Sequence, residues 1–116
     1  MNAKDIVDAY RAAWEAKDLD TARKYLADNL DFAGPIDTFD NAEDYIKAIA
    51  GLSHIVTGTT TRRAFADGND VAVFYDMHTS TPAGTAPIVE WYSVHEGRIS
   101  MIRAYFDARP FTQPGG

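Results

Sequence analysis

The stretch Pro87-Ile-Val-Glu-Trp-Tyr-Ser-Val-His-Glu-Gly-Arg-Ile-Ser-Met-Ile-Arg-Ala-Tyr-Phe-Asp107 decides the fold. Two runs rich in β-branched and aromatic residues flank His95-Glu-Gly-Arg98, so the stretch reads as a β-hairpin. If His95 opposes Arg98 and the ladder runs on unbroken, Glu90 opposes Arg103, Trp91 opposes Ile102 and Tyr92 opposes Met101. Side chains alternate across a strand, so the two faces separate. One carries Val89, Trp91, Ser93, Ser100, Ile102, Ala104 and Phe106, and is expected to wall an apolar cavity or core. The other carries Glu90, Tyr92, Met101, Arg103 and Tyr105, and is expected to meet water or another subunit. Glu90 and Arg103, opposite in charge, then form a cross-strand structural pair.

Working outward, Asp67-Gly-Asn-Asp70 and Thr81-Pro-Ala-Gly84 are turn signals. Between them Val71, Val73, Tyr75 and Met77 alternate with Ala72, Phe74, Asp76 and His78, which predicts a strand over about 70–80. The four threonines between Thr57 and Thr61 predict another over about 54–66. Ahead of these the spacing turns helical. Ile6, Tyr10, Ala13 and Trp14 predict a helix over 3–16 with Asn2 as N-cap, and Leu19, Ala22, Tyr25 and Leu26 a second over about 19–28 ended by Asn29. A short strand is expected at Leu30–Ala33, broken by Gly34-Pro35. Asp40-Asn-Ala-Glu43 has the form of a capping box and opens a third helix over 41–51, with Gly51 as its end. The tail is expected to be loose beyond Phe111. Helices gather first and antiparallel strands follow, which is an α+β order.

The chain has 116 residues, 46% hydrophobic and 24% charged, enough for one compact core. A net charge of −6 with only Arg62-Arg63 as an adjacent basic pair argues against nucleic acid. No cysteine is present, which excludes disulfides, thiolate metal sites and cysteine nucleophiles. No apolar run is long enough to span a membrane, and a cytoplasmic protein is expected. No metal-binding histidine spacing, phosphate loop or Gly-x-Ser-x-Gly context appears, so neither metal nor cofactor is called for.

The order of elements, the Tyr10…Trp14 helix, the Phe32-Ala-Gly-Pro-Ile-Asp37 segment and the closing Gly97-Arg-Ile-Ser-Met-Ile-Arg-Ala-Tyr-Phe-Asp107 run resemble the nuclear transport factor 2-like superfamily. Within it the chain is similar to SnoaL-like proteins, the group near ketosteroid isomerases, limonene epoxide hydrolases and polyketide cyclases. The resemblance implies a cone-shaped α+β barrel, with a curved, mostly antiparallel sheet wrapped around three N-terminal helices, a deep apolar pocket, and a homodimer packed through the sheets. The tyrosine of the isomerases that donates to the dienolate oxygen matches Tyr10. Their acids match Gly34 and Val89, and the last-strand acid of the hydrolases and cyclases matches Ala104. Those three mechanisms therefore do not transfer.

Other polar groups remain as candidates. Asp76 faces the pocket or the outer sheet face, according to register. In an apolar pocket its charged form would be disfavoured, which suits a proton-transfer group. Asp37, just after Gly34-Pro35, is a displaced base or a turn residue. His54 and His78 are possible acid–base or ligand-contacting groups, or structural residues. Trp14, Phe74, Val89, Trp91, Ile102 and Phe106 line the ligand site, or fill the core. Three functions follow: an acid–base enzyme acting on a small hydrophobic molecule with Asp76 or Asp37 as base and Tyr10 as donor, a ligand-binding protein without turnover, or an interaction domain with a filled core.

Overall fold

The computed structural model describes residues 1–112. The expectation for the tail falls partly on residues 113–116, which lie outside them. Helix α1 (Ala3–Glu15) opens with the capping box of Asn2 and Asp5: the Asn2 side chain accepts from the Asp5 amide at 2.8 Å, and the Asn2 amide donates to the Asp5 carboxylate at 3.2 Å. Helix α2 (Leu19–Lys24) is capped by Asp18. It is shorter than its spacing predicts, because the chain enters strand β1 (Leu26–Ala33) two residues later. Leu26 and Leu30, read as helix and strand start, are both fully buried in that strand. Asn29, expected as a helix end, is exposed mid-strand.

A two-residue strand β2 (Thr38–Phe39) pairs back on β1. Helix α3 (Ala42–Ser53) is capped by Asn41, one residue later than expected, through a 2.8 Å bond from the Asp44 amide. It runs past Gly51 to a cap at His54. Strands β3 (Val56–Asp67), β4 (Asp70–Thr79), β5 (Thr85–His95) and β6 (Arg98–Tyr105) follow, with a short α4 (Arg109–Thr112) after them. The six strands form one curved sheet in the order β2-β1-β6-β5-β4-β3, with only β1 and β6 parallel. The sheet is open. Val71, Val73, Tyr75 and Met77 of β4 pack inward with Ile6, Val7, Tyr10 and Trp14 of α1, which accounts for both apolar periodicities.

The hairpin that fixed the sequence reading holds one correction. His95 opposes Arg98 and Val94 opposes Ile99, as expected, over a turn with Glu96 at φ 52° and Gly97 at φ 78°. A bulge at Ser100 then shifts the register by one, so that Ser93 opposes Met101 and Trp91 opposes Arg103. One extra residue inverts β5 relative to β6. Ile102 and Ala104 keep the inward face expected for them, but their partners are Tyr92 and Glu90. Val89, Trp91 and Ser93 turn to the outer face. The expected Glu90–Arg103 pair does not form. Arg103 instead bonds Asp31 of the neighbouring strand β1 at 2.9 Å, and Glu90 is buried.

Candidate functional site

A cavity of about 390 Å3 lies between the inner sheet face, α3 and the segment after β6. Its walls are apolar: Trp14 from α1, Phe32 from β1, Phe39 from β2, Ile49 and Leu52 from α3, and Phe106 beyond β6. Phe111 of α4 packs edge-on against Phe106 at 5.8 Å between ring centres. Gly34 lies against the Phe32 ring, and a methyl group added to it would come within 3.5 Å of the Ala104 methyl. The two positions where the resemblance places acids of known enzymes, Gly34 and Ala104, thus both stand at the cavity and are both small.

The buried carboxylate of the cavity is Glu90. It lies opposite Ala104 on one side of its strand and Val73 on the other, and only 7% of its surface is exposed. Its Oε1 accepts three hydrogen bonds: from the Tyr75 hydroxyl at 2.8 Å, the Tyr92 hydroxyl at 2.9 Å and Arg11 Nη1 at 3.2 Å. Among the described residues no hydrogen bond reaches Oε2, and none leaves a buried side-chain oxygen without a partner. The free oxygen therefore opens onto the cavity that Glu90 lines.

Arg11 is the counter-charge. It projects from the buried face of α1, donates also to Tyr92 at 3.1 Å and to Glu15 at 3.2 Å, and lies 4.0 Å above the Tyr75 ring. Burial alone disfavours its charge, but Tyr92, Glu90 and Tyr75 outweigh that and raise its pKa above the usual value. It does not itself line the cavity. Among the described residues, the lining includes two carboxylates, Glu90 and Asp37, and no lysine, arginine or histidine.

Tyr45 of α3 also lines the cavity. Its hydroxyl is 2.5 Å from that of Tyr10, which is wholly buried behind it. Burial, then the charge of Glu90, raises the Tyr45 hydroxyl pKa well above 10.0, and burial does the same for Tyr10, Tyr75 and Tyr92. All four remain protonated donors at neutral pH.

Of the residues singled out in the sequence, Trp14, Phe106 and Asp37 line the cavity, and Tyr10 backs a residue that does. Ile102 is fully buried in the core between sheet and helices, outside the lining. The rest lie elsewhere. Asp76 is on the outer face, bonded to Arg62 Nε at 2.9 Å, because alternation from the buried Tyr75 and Met77 turns it outward. His78 sits between Thr60 and Thr85 on that same face, 2.9 Å from each. Phe74 packs edge-on against Phe65, and the Trp91 indole donates to Asp70 at 3.2 Å, both on the outer face with Val89. His54 is exposed at the end of α3. Glu90, Arg11, Tyr45, Tyr75 and Tyr92 were missed. Their signal is present in the chain: Arg11 falls within the apolar stripe of α1, and Glu90 within the alternating set Ala86, Ile88, Tyr92, Val94. Among the described residues no helix is long and apolar enough to cross a membrane, and no three His, Asp or Glu side chains cluster as metal ligands would.

Helices laid into a curved sheet, over an apolar cavity with one buried carboxylate, define a cone-shaped α+β protein of the nuclear transport factor 2-like kind. The chain belongs to the SnoaL-like family, whose domain matches residues 7–102. A crystal structure from Kribbella flavida shares 34% identity over 92% of this chain and 88% of its own, with a TM-score of 0.86. An NTF2-like protein of unknown function from Cytophaga hutchinsonii shares 25% over 97% and 96%, with a TM-score of 0.87. An epoxide hydrolase of the LEH-like kind from M. tuberculosis shares 21% over 93% and 84%, with a TM-score of 0.78, a likeness of fold alone. No curated protein matches the sequence.

Proposed function

We propose that this protein is an acid–base enzyme acting on a small hydrophobic molecule, with Glu90 as the proton-transfer group and Tyr45 as the hydrogen-bond donor that steadies an oxygen of that molecule. One observation carries the reading: a carboxylate with one oxygen locked by three donors and the other free in an apolar cavity. The locked oxygen fixes the group's orientation, and exclusion of water strengthens its action on a bound proton. Glu90 faces Ala104 across one rung of the sheet. The carboxylate that the hydrolases and cyclases carry on the last strand would here be supplied from the strand beside it, into the same layer of the cavity.

The test needs no natural substrate. In D2O the protein should accelerate exchange of the protons next to the carbonyl of tert-butylcyclohexanone, followed by NMR. Glu90→Gln keeps the shape but not the base, and should lose about a hundredfold or more of that acceleration. An equal rate in the variant would remove Glu90 from the chemistry. A binding protein without turnover is the second reading, and uptake of the ketone with no exchange in either protein would favour it.

The partner we propose is a second copy, docked through the outer sheet face. Phe65, Phe74, Trp91 and Tyr105 are 39–59% exposed there, four of the six large apolar side chains so exposed among the described residues. A self-complementary aromatic patch suits a two-fold interface.

A further inference from the structure

We infer that the cavity takes an uncharged, largely apolar molecule of roughly a dozen non-hydrogen atoms, whose polar end is a hydroxyl held between Tyr45 and Glu90. The inference rests on the reading of these two residues as the working groups of the site, and it adds what they select. Size comes first. A cavity of about 390 Å3 is near the lower end of small-molecule sites, and holds roughly thirteen water-sized groups at about 30 Å3 each.

Charge comes second. Among the described residues that line the cavity, the two side chains that carry charge at neutral pH are carboxylates, Asp37 and Glu90. Arg11 does not line the cavity and is already engaged by Glu90 and Glu15. A carboxylate or phosphate entering the cavity would meet Glu90 with no lysine, arginine or histidine among the described lining residues to receive it. An ammonium would find Glu90 already neutralised by Arg11, and would give up its hydration for one shared oxygen.

Hydrogen-bond direction comes third. The Tyr10 hydroxyl is enclosed, and Tyr45 is its only partner among the described residues. Tyr10 must donate to Tyr45, since the reverse would leave the Tyr10 proton without an acceptor in the core. Tyr45, which lines the cavity, is then left with a proton to donate. Tyr45 then offers a donor and Glu90 Oε2 an acceptor. A hydroxyl satisfies both, since it accepts from Tyr45 and donates to Glu90. A ketone satisfies the first only and an ammonium the second only.

Calorimetric titration of the full chain with five compounds on one skeleton tests this: tert-butylcyclohexanol, the ketone, the amine, the carboxylate and the parent hydrocarbon. The alcohol should bind tightest, by about tenfold over the ketone and more over the hydrocarbon. The carboxylate should not bind. Tyr45→Phe and Glu90→Gln should each bring the alcohol down towards the hydrocarbon, with circular dichroism confirming the fold. Tyr45→Phe carries the test alone if the other variant does not fold. Tightest binding of the carboxylate or the amine, equal affinity across the series, or no uptake at all overturns the inference. The two proposals separate cleanly: exchange lost in Glu90→Gln without alcohol preference removes this one only, and alcohol preference with exchange untouched by Glu90→Gln removes the other only.

Discussion

Two buried charged residues break the pattern around them. Arg11 follows Tyr10 on a helix whose neighbours Ile6, Val7, Ala13 and Trp14 are buried, and it is 5% exposed. Glu90 breaks an otherwise apolar set of alternating residues on β5. A lone charge in an apolar stripe is costly unless a second lone charge meets it. Each was visible in the sequence, and together they pointed to one another. They were hidden by the assumed pairing of Glu90 with Arg103, a plausible partner at the wrong register. The tyrosines around them make a prediction of their own. Burial raises the hydroxyl pKa values of Tyr10, Tyr45, Tyr75 and Tyr92 well above 10.0. An unfolded chain ionises its tyrosines near about 10. Above that pH the folded state keeps protons that the unfolded state releases, so stability is whole below about pH 10 and falls as pH rises further. The tyrosinate absorbance of these four should therefore appear together with loss of circular dichroism. Its gradual appearance in a still-folded protein would mean that solvent reaches the hydroxyls.

At the scale of elements, the decisive object is one extra residue in β6. The hairpin, its turn and the inward face of Ile102 and Ala104 were all readable from alternation and from Glu96-Gly97. The bulge was not, because Ser100 has no composition that marks it. Its hydroxyl makes a single bond to the Ser93 carbonyl at 3.3 Å. What matters is its place in the count. Ser100→Ala should therefore change stability by no more than about 0.5 kcal/mol. Deleting Ser100 should remove the bulge yet leave Ser93 opposite Met101, Tyr92 opposite Ile102 and Glu90 opposite Ala104, so denaturant unfolding should stay cooperative. A deletion variant that loses cooperative unfolding would mean that the bulge itself is needed to hold β6 in the sheet. The early end of α2 has a similar origin: Leu26 suits a helix by spacing, but pairing with Ile99 of β6 decides the matter.

For the whole molecule, the sequence order of helices before strands was enough to reach the architecture, since each apolar stripe needs a surface to cover it. It did not say which sheet face would be covered. That depends on register, so the outer aromatic residues Phe74 and Trp91 were read as cavity walls. Placed outside, they lead to an opposite expectation. Trp91→Glu should convert a dimer to a monomer in sedimentation velocity while leaving uptake of tert-butylcyclohexanol unchanged, because the sheet stands between the two sites. A Trp91→Glu protein that stays dimeric would put the contact on another surface.

The rung that joins Glu90 to Ala104 also bears on ancestry. Alanine and glutamate codons differ by a single base. Two such changes move a carboxylate from one strand to the next without altering the length of either strand, the bulge between them or the volume held by the pair. A lineage can therefore keep its cavity and hand the acid from strand to strand. Relatives sorted by which position bears the acid would then be grouped by the path of that exchange, and a laboratory could retrace it with Ala104→Glu followed by Glu90→Ala.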